Sequence, residues 1–205
     1  LNVLFLFDSI TRFAEAHRET ALLAGETPAL NAFPPSTVRV VSELAERTGP
    51  GTDGKGDITA VYSVLVAGSD MEEPVADMIR GILDGHIILA RDIAERGRYP
   101  AIDILRSVSR SLPHAATDDE NALIRECRRM FALYEEIAPM LRANLYEFGK
   151  DAEADRAIAL YSLLDRYAGT PNDLGIEAAF DRLREILRTE RSLAAQALPA
   201  TPIDP

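Results

Sequence analysis

One acidic residue in this sequence stands where a metal-binding carboxylate could do chemistry. Val3 to Phe7 (VLFLF) is an unbroken apolar run, Asp8 ends it, and Ser9 can cap a following helix. A run without polar alternation is typical of a central strand in a parallel sheet, buried on both faces. A carboxylate at the carboxyl end of such a strand points into the crevice where α/β sheets bind ligands. This is the arrangement of a Walker B strand, whose Asp holds Mg²⁺ in a nucleotide site, although many sheets end a strand in this way without a metal.

A glycine-rich stretch has the spacing of a phosphate-binding loop but fails two tests. Gly49, Gly54 and Lys55 fit the pattern G-x-x-x-x-G-K. Gly56 stands where the Mg²⁺-binding Ser or Thr of that loop should be. The stretch also leaves a predicted helix and enters a predicted strand, which is the reverse of the geometry that aims backbone amides at phosphate. We therefore predict a flexible connection over residues 48–57.

Other residues of metal-binding type are predicted to be structural. Asp70, Glu72 and Glu73 resemble a metal cluster at first sight, but a solvated loop that leads into a helix accounts for them. His86 has no Cys or second His at ligand spacing, so we interpret it as a residue that starts a strand.

Composition narrows the class of protein. The 205 residues suffice for one large domain or two small ones, and 47% of them are apolar, so a packed core is expected. The net charge of −11 argues against binding of nucleic acid or of an acidic membrane through bulk charge. Cys127 is the only cysteine, which favours a reducing compartment. The sequence has neither a stretch of about 18 apolar residues nor a signal peptide. A buried strand at residue 3 suggests a piece of a longer protein.

The elements that must position Asp8 alternate between strands and helices up to about residue 113. Gly25 is expected to end the first helix, and Ser36 or Thr37 to cap the second. The expected inward residues are Phe13, Ala16 or His17, Leu22 and Leu23 in the first helix and Val38, Val41, Leu44 and Ala45 in the second. Helices are predicted at 9–25, 36–48, 74–83 and 91–96, and strands at 3–7, 58–66, 86–90 and 99–105.

The pattern changes to helices alone from Thr117 onwards. Thr117 and Glu120 form a capping box, and Pro139 is expected to kink the helix that follows. Two more helices are predicted, the last from Ile176 to about Leu193. We therefore predict an α/β part over 1–113, a helical domain over 114–193 and a flexible tail over 194–205. The interior of the helical domain is predicted to hold Leu123, Cys127, Tyr134, Ile158, Tyr161, Phe180 and Leu183.

Three blocks of the sequence resemble one family. They are LFLFDSITRFAEAHRE (4–19), SDMEEPVADMIRGILDGHIILARDIAERGRYPAIDILRSVSR (69–110) and YEFGKDAEADRAIALY (146–161). They resemble the export ATPases of bacterial flagella and type III secretion systems, relatives of the catalytic subunits of rotary ATP synthases. The resemblance spans about residues 2–190 in unbroken order, and the flagellar branch looks slightly closer.

The resemblance implies a fold and residue roles. The implied fold is α/β, the second part of a RecA-like ATPase core with a mostly parallel sheet, followed by an all-α C-terminal domain. The implied activity is Mg²⁺-dependent ATP hydrolysis coupled to protein export. Asp8 would be the Walker B aspartate, Tyr99 would pack on the adenine of ATP, and Arg110 would be the arginine finger. Arg12 could lie near the nucleotide or an interface, or be a solvated helix arginine.

The resemblance also implies partners and a location. It implies a homohexamer, a central stalk protein facing the hairpin at 149–155, and export chaperones and substrates, without nucleic acid. The location would be cytoplasmic, peripherally associated with the inner-membrane export apparatus and in contact with its export gate.

Two departures from the family pattern matter. The family's Walker A loop and catalytic glutamate lie upstream of the Walker B strand and are absent from this sequence, so these residues alone are predicted to be inactive. Residues 138–145 also diverge from the family pattern. Two alternatives stay open: a catalytic subunit of a rotary ATP synthase, and a non-catalytic module that binds a stalk or chaperones.

Overall fold

The structure, a computed structural model, describes residues 1–28, 33–52, 54–69 and 73–196, with side chains up to residue 188. The chain divides into two compact units, Leu1–His86 and Ile87–Pro205. Each unit contains an apolar cluster of its own.

The first unit contains a pair of parallel strands, as predicted. Strands β1 and β2 pair in register, with Val3 opposite Ile58 and Phe7 opposite Tyr62. The unit runs in the order β1 (Val3–Phe7), α1 (Ile10–Leu23), α2 (Pro35–Glu46), β2 (Ile58–Tyr62), a 3₁₀ turn (Ala67–Ser69) and α3 (Pro74–Ile82).

The prediction that these strands are buried on both faces is wrong for the described structure. Phe5, Phe7 and Tyr62 face a cluster formed with apolar residues of α1, α2 and α3. The opposite face carries Leu4 and Leu6, which are 63% and 68% exposed. The physical reason is that the helices of this unit pack on one face, and alternate residues of a strand point to opposite faces.

The predicted start of α1 is confirmed, and its predicted inward face is confirmed only at Phe13, which packs against the buried cluster. The Ser9 side chain accepts a hydrogen bond from the Arg12 amide and so caps the helix. Leu22 and Leu23 are exposed. The buried positions are instead Ile10, Thr11, Ala14 and Ala21, a set whose spacing also forms one helical stripe.

Helix α2 also differs from its prediction. Pro34 is the residue that precedes the helix, Pro35 is its first residue, and no side chain caps it. A proline fits the first helical position because its missing N–H would be unpaired there in any case. Val38 is 41% exposed, whereas Val41 and Ala45 are buried as predicted.

The second unit begins with a strand pair. Strand β3 (Gly85–Leu89), whose first two residues precede the division, pairs with β4 (Ile102–Ser109), and α4 (Arg91–Glu95) lies between them in sequence. Strand β4 begins three residues later than the predicted start at Tyr99 and ends at Ser109, four residues beyond the predicted end at Leu105.

Three helices complete the second unit: α5 (Asp118–Arg142), α6 (Ala152–Ala168) and α7 (Ile176–Gln196). The predicted capping box of Thr117 and Glu120 is present, and α5 continues through Pro139. Their buried apolar cluster consists of Cys127, Met130, Phe131, Ala157, Leu160, Leu164, Leu183 and Leu187.

Most of the predicted interior of these helices is confirmed. Leu123, Tyr134, Tyr161 and Phe180 pack against the buried cluster. Ile158 is half-buried and outside that cluster. Helix α6 turns Ala157, Leu160 and Leu164 inward, and Tyr161 packs against the same cluster as predicted.

The predicted fold class is confirmed as α/β with parallel strands and a helical C-terminal region. The domain boundary at 113/114 stays a prediction, and residues 197–205 of the predicted tail lie outside the described residues. Asp70 and Glu72 also lie outside them. None of the helices that the structure describes is both long enough and apolar enough to cross a membrane.

Candidate functional site

Asp8 lies at the carboxyl end of β1 and is held there by the neighbouring strand. One carboxylate oxygen of Asp8 accepts a short hydrogen bond from the Ser63 hydroxyl. The Ser63 amide donates to the Phe7 carbonyl at 3.0 Å, and the Ile10 amide donates to the Ser63 carbonyl at 3.0 Å. The carboxylate therefore sits beyond the ends of two parallel strands and remains exposed to solvent.

A second contact fixes the start of α1 behind Asp8. The Thr11 hydroxyl donates to the Leu65 carbonyl at 3.3 Å and accepts from the Leu65 amide at 2.9 Å. Thr11 is buried, so this pair of bonds satisfies polar groups that water cannot reach. Helix α1 and the segment after β2 are thereby fixed to each other beside the carboxylate.

Ser63 and Thr11 are residues that the sequence interpretation missed. The sequence did contain a signal for Ser63. It is a polar residue within the apolar stretch at 58–66, and it directly follows Tyr62, the last residue of β2. Which side chain a strand residue meets depends on the pairing register, and that register is set only in the folded sheet.

The residues at the end of β1 fit a magnesium ion bound mainly through water. Mg²⁺ keeps several of its waters and is commonly held by one or two carboxylates together with substrate phosphates. Asp8 supplies one exposed carboxylate whose orientation is fixed by a hydroxyl. Within the described residues no cluster of three or more acidic, His or Cys side chains could hold a metal by itself. The donor set suits Mg²⁺ shared with phosphates and does not suit a metal enclosed by protein alone.

Tyr99 lies in the turn that enters β4, with 65% of its surface exposed. The side chain of its neighbour Arg98, by contrast, is held in place by several contacts. The Arg98 guanidinium donates to the carbonyls of Pro100 at 3.3 Å and Ile102 at 2.7 Å. Its Nε lies 2.9 Å from an oxygen of Asp165. The Tyr99 ring can offer a flat apolar face to a ligand because its own backbone is fixed by residues on either side.

Arg110 directly follows β4 and is exposed. The strand before it is anchored by Arg128 of α5, which donates to the carbonyls of Ile104 at 2.6 Å, Leu105 at 2.8 Å and Ser107 at 3.2 Å. A guanidinium at the end of a strand anchored in this way starts from a defined position. That position suits an arginine that must reach a charged ligand.

The candidate residues fall into two groups. Asp8 and Ser63 belong to the first unit, and Tyr99 and Arg110 stand before and after β4 in the second. Arg12 lies on the surface of α1, where it pairs with Glu15 at 3.3 Å.

Two side chains of the second unit, the exposed Arg96 and the buried Cys127, have raised pKa values. A hydrogen bond donated to the Tyr161 hydroxyl raises the pKa of Arg96. Burial raises the pKa of the Cys127 thiol to about 11. Cys127 is therefore a core residue that stays protonated and is not a nucleophile.

A cleft of about 560 Å³ in the first unit lies away from these residues. It is lined by the end of α2, the strand β2 and the residues after α3, including Asp57 and Asp84. Neither Asp8 nor Ser63 lines it. We assign no ligand to it.

Two family profiles match consecutive parts of the chain. Residues 1–109 match the nucleotide-binding domain of the ATP synthase alpha/beta family. Residues 116–169 match the C-terminal domain of the type III secretion ATPase EscN. The first match covers more than half of the chain, and the chain therefore belongs to the ATP synthase alpha/beta family.

Individual relatives narrow this class to export ATPases. The flagellum-specific ATP synthase of Treponema pallidum is 46% identical over 166 residues, a match that covers 81% of this chain and 37% of the relative. The SPI-2 type 3 secretion system ATPase of Salmonella typhimurium is 44% identical over 188 residues, which covers 91% of this chain and 43% of the relative.

A solved structure agrees with the sequence relatives. The assembled ATPase EscN of enteropathogenic E. coli, in complex with its central stalk EscO, matches with a TM-score of 0.78 and 36% identity, covering 90% of this chain and 44% of that chain. The predicted resemblance to flagellar and type III secretion export ATPases is confirmed. The chain spans less than half the length of these relatives.

Proposed function

We propose that this chain is the part of a protein-export ATPase that begins at its Walker B strand, and that the full-length protein hydrolyses ATP with Mg²⁺ as a homohexamer. The observation that carries the proposal is Asp8, held by Ser63 at the carboxyl ends of two parallel strands, within the stretch that matches the family's nucleotide-binding domain. Flagellar and secretion-system relatives match at 46% and 44% identity, so the proposal covers the activity common to both branches.

Each candidate residue has one role in this proposal. Asp8 orients the water shell of Mg²⁺, which when bound neutralises charge on the phosphates. Tyr99 packs against adenine. Arg110 reaches the γ-phosphate in the neighbouring subunit and stabilises the charge that spreads over it in the transition state. Phosphoryl transfer needs little covalent help, so placing these charges is the main task of the protein.

The loop between α5 and α6 supports a central stalk as partner. Leu145 and Phe148 are each 69% exposed on it. The loop is nevertheless ordered, because the Asp155 carboxylate accepts from the Tyr146 hydroxyl and from the Gly149 amide, both at 2.8 Å. Apolar side chains presented on a fixed loop favour contact with another protein. The EscN structure contains such a stalk.

The remaining partners follow from the proposed export function. They are export chaperones and substrates and the membrane export gate, with the hexamer in the cytoplasm and peripherally attached to the inner-membrane export apparatus. Nucleic acid is not among them, because the net charge of −11 opposes binding to phosphate backbones.

The test is Mg²⁺-dependent ATP hydrolysis by the full-length hexamer. We expect Asp8→Ala to remove nearly all of it, because the water shell of the metal loses the carboxylate that orients it. Asp77→Asn, a change at an exposed carboxylate of the same unit, should leave it unchanged. The 205 residues alone should not hydrolyse ATP, since they lack a loop that cradles phosphates. Hydrolysis that survives Asp8→Ala would show that the metal site has been misplaced. A full-length protein that binds the stalk but never hydrolyses ATP would favour the non-catalytic module.

A further inference from the structure

The turn that carries Tyr99 is anchored by a buried arginine. The Arg98 side chain is only 8% exposed. It donates to the Pro100 and Ile102 carbonyls on the far side of Tyr99. Tyr99 itself is largely exposed and has little packing of its own. The position of its ring therefore depends on where Arg98 is held.

Helix α6 supplies the charge that holds Arg98. Arg98 Nε and Asp165 Oδ1 lie 2.9 Å apart. Both atoms are buried, and neither has an aligned hydrogen bond to any other group. The contact is therefore an ion pair in which each atom has the other as its counter-charge. Removal of Asp165 would leave the largely buried Arg98 guanidinium with backbone carbonyls as its hydrogen-bond partners and without this carboxylate, which proteins tolerate poorly.

The end of the same helix also touches the turn directly. A Cβ atom built on Gly169 would lie 3.2 Å from Arg98 Cγ and 3.4 Å from the Tyr99 carbonyl oxygen. Only a residue without a side chain allows this approach without a shift of Arg98. This contact is independent of the ion pair and leads from the same helix to the same turn.

A neighbouring pair reinforces this arrangement. Arg96 donates to the Tyr161 hydroxyl, one α6 turn before Asp165. The Tyr161 ring stacks on Tyr134 of α5, with centroids 3.6 Å apart. The helical bundle therefore contacts both ends of the short segment from Arg96 to Arg98.

We propose that Arg98 and Asp165 are positioning residues through which helix α6 sets the place of Tyr99, and so the affinity of the ATPase for adenine nucleotides. The inference rests on the proposed role of Tyr99 at adenine. Arg98 and Asp165 are not among the residues proposed to meet the phosphates or the metal.

The kinetic test uses the full-length hexamer with Asp165→Asn. We expect the KM for ATP to rise roughly tenfold, within the range that base–aromatic stacking supplies. The kcat should stay within about twofold, because adenine stacking acts equally on the bound substrate and the transition state. Asp165→Glu, which keeps the charge, should restore part of the affinity. Gly169→Ala should raise KM in the same direction by a smaller factor.

The matched control is Asp119→Asn, which removes another ion pair between elements of the same unit. Asp119 pairs with Arg184 at 2.6 Å and is 69% exposed. Its loss should leave KM unchanged, because exposed pairs contribute little. Thermal unfolding of each variant separates general destabilisation from a local effect.

A second measurement needs no activity. In the 205-residue chain, amide hydrogen exchange over residues 98–106 should become faster in Asp165→Asn and stay at the parent rate in Asp119→Asn. If exchange quickens but the KM of the full-length variant equals the parent value, the pair is structural and the inference is overturned. An unchanged exchange rate also overturns it.

These outcomes are distinct from failure of the proposed function. A full-length parent that does not hydrolyse ATP refutes the proposed function and, with it, the adenine role of Tyr99. If Asp165→Asn does not fold, Gly169→Ala decides: the same KM as the parent overturns the inference, and a raised KM with unchanged kcat supports it.

Discussion

The two units hold their candidate residues by different means. Asp8 is oriented by the neutral hydroxyl of Ser63 on the adjacent strand, a contact that strand pairing alone creates. Tyr99 and Arg110 depend on charged groups from the helices: Asp165 of α6 pairs with Arg98, and Arg128 of α5 anchors β4. Asp8, the residue proposed to face the metal, therefore depends on strand pairing, whereas the residues proposed to meet the base and the γ-phosphate depend on the helical bundle.

The largest expected effect is at Arg110 in the full-length hexamer. Arg110→Ala should lower hydrolysis by about 10³–10⁵-fold, the usual worth of an arginine finger. Nucleotide binding should stay nearly intact, because the finger stabilises charge that appears only in the transition state. Lys at this position should rescue poorly, since it lacks the planar fork that meets two phosphate oxygens. The measurements are steady-state hydrolysis and equilibrium binding of ATP.

A mixing experiment tests whether Arg110 acts across subunits. Subunits with Arg110→Ala are combined with subunits that keep Arg110 but lack a working phosphate loop, and some hydrolysis should return where an intact site meets an intact finger. Hydrolysis at the parent rate in Arg110→Ala hexamers would identify Arg110 as a structural residue. Activity that is lost and never restored by mixing would mean that it acts within its own subunit or holds the fold, and thermal unfolding separates these two.

The next-largest effect is a loss of stability in the core of the helical bundle. The exposed face of the strand pair provides the comparison. Leu160 is fully buried, so Leu160→Ala should destabilise the 205-residue chain by about 2–5 kcal/mol. Leu6 is 68% exposed, so Leu6→Ala should change stability by less than about 0.5 kcal/mol. Urea unfolding followed by circular dichroism measures both. Equal losses from the two changes would mean that the face of Leu4 and Leu6 is covered in solution.

A smaller effect is expected at Ser63. Ser63→Ala in the full-length hexamer should raise the Mg²⁺ concentration needed for half-maximal hydrolysis by about 10–100-fold, the usual effect of losing a group that orients a metal ligand. Ser63→Thr keeps the hydroxyl and should retain most of the activity. The Mg²⁺ concentration at half-maximal hydrolysis is the readout. No change in that concentration for Ser63→Ala would show that Asp8 is oriented by the backbone alone.

The smallest effect is a pH dependence from Cys127. Burial raises the pKa of this thiol from 9.0 to about 11 in the folded chain. The folded state thus holds the proton more tightly than the unfolded state, so its contribution to stability is complete below pH 9 and is lost as pH rises towards 11. Cys127→Ala should remove this part of the pH profile, as measured by thermal unfolding between pH 8 and pH 11. A thiol reagent at pH 8 should label the parent only as fast as it unfolds.

The sequence predicted the elements better than the faces that they bury. The strand at 3–7, the Ser9 cap and the capping box at Thr117 follow from local patterns and are confirmed. The inward faces of α1 and α6 were each predicted only in part. Phe13 and Tyr161 pack against the buried clusters as expected, whereas Leu22 and Leu23 are exposed. Alanines contributed to the misses: Ala14, Ala21 and Ala157 are buried, yet they carry too little hydrophobic signal to outweigh leucines and isoleucines nearby.

What the sequence determined by itself is the family and the identity of the candidate residues. Residue order alone contains the long runs shared with export ATPases. It also contains the carboxylate after an apolar strand and the positions of Tyr99 and Arg110 within those runs. What only the tertiary structure decided is how these residues are held. Ser63 meets Asp8 from 55 positions away, and Asp165 meets Arg98 from a helix more than 60 residues later. Local periodicity carries no information about such contacts, because they depend on strand register and on the packing of helices against the strands.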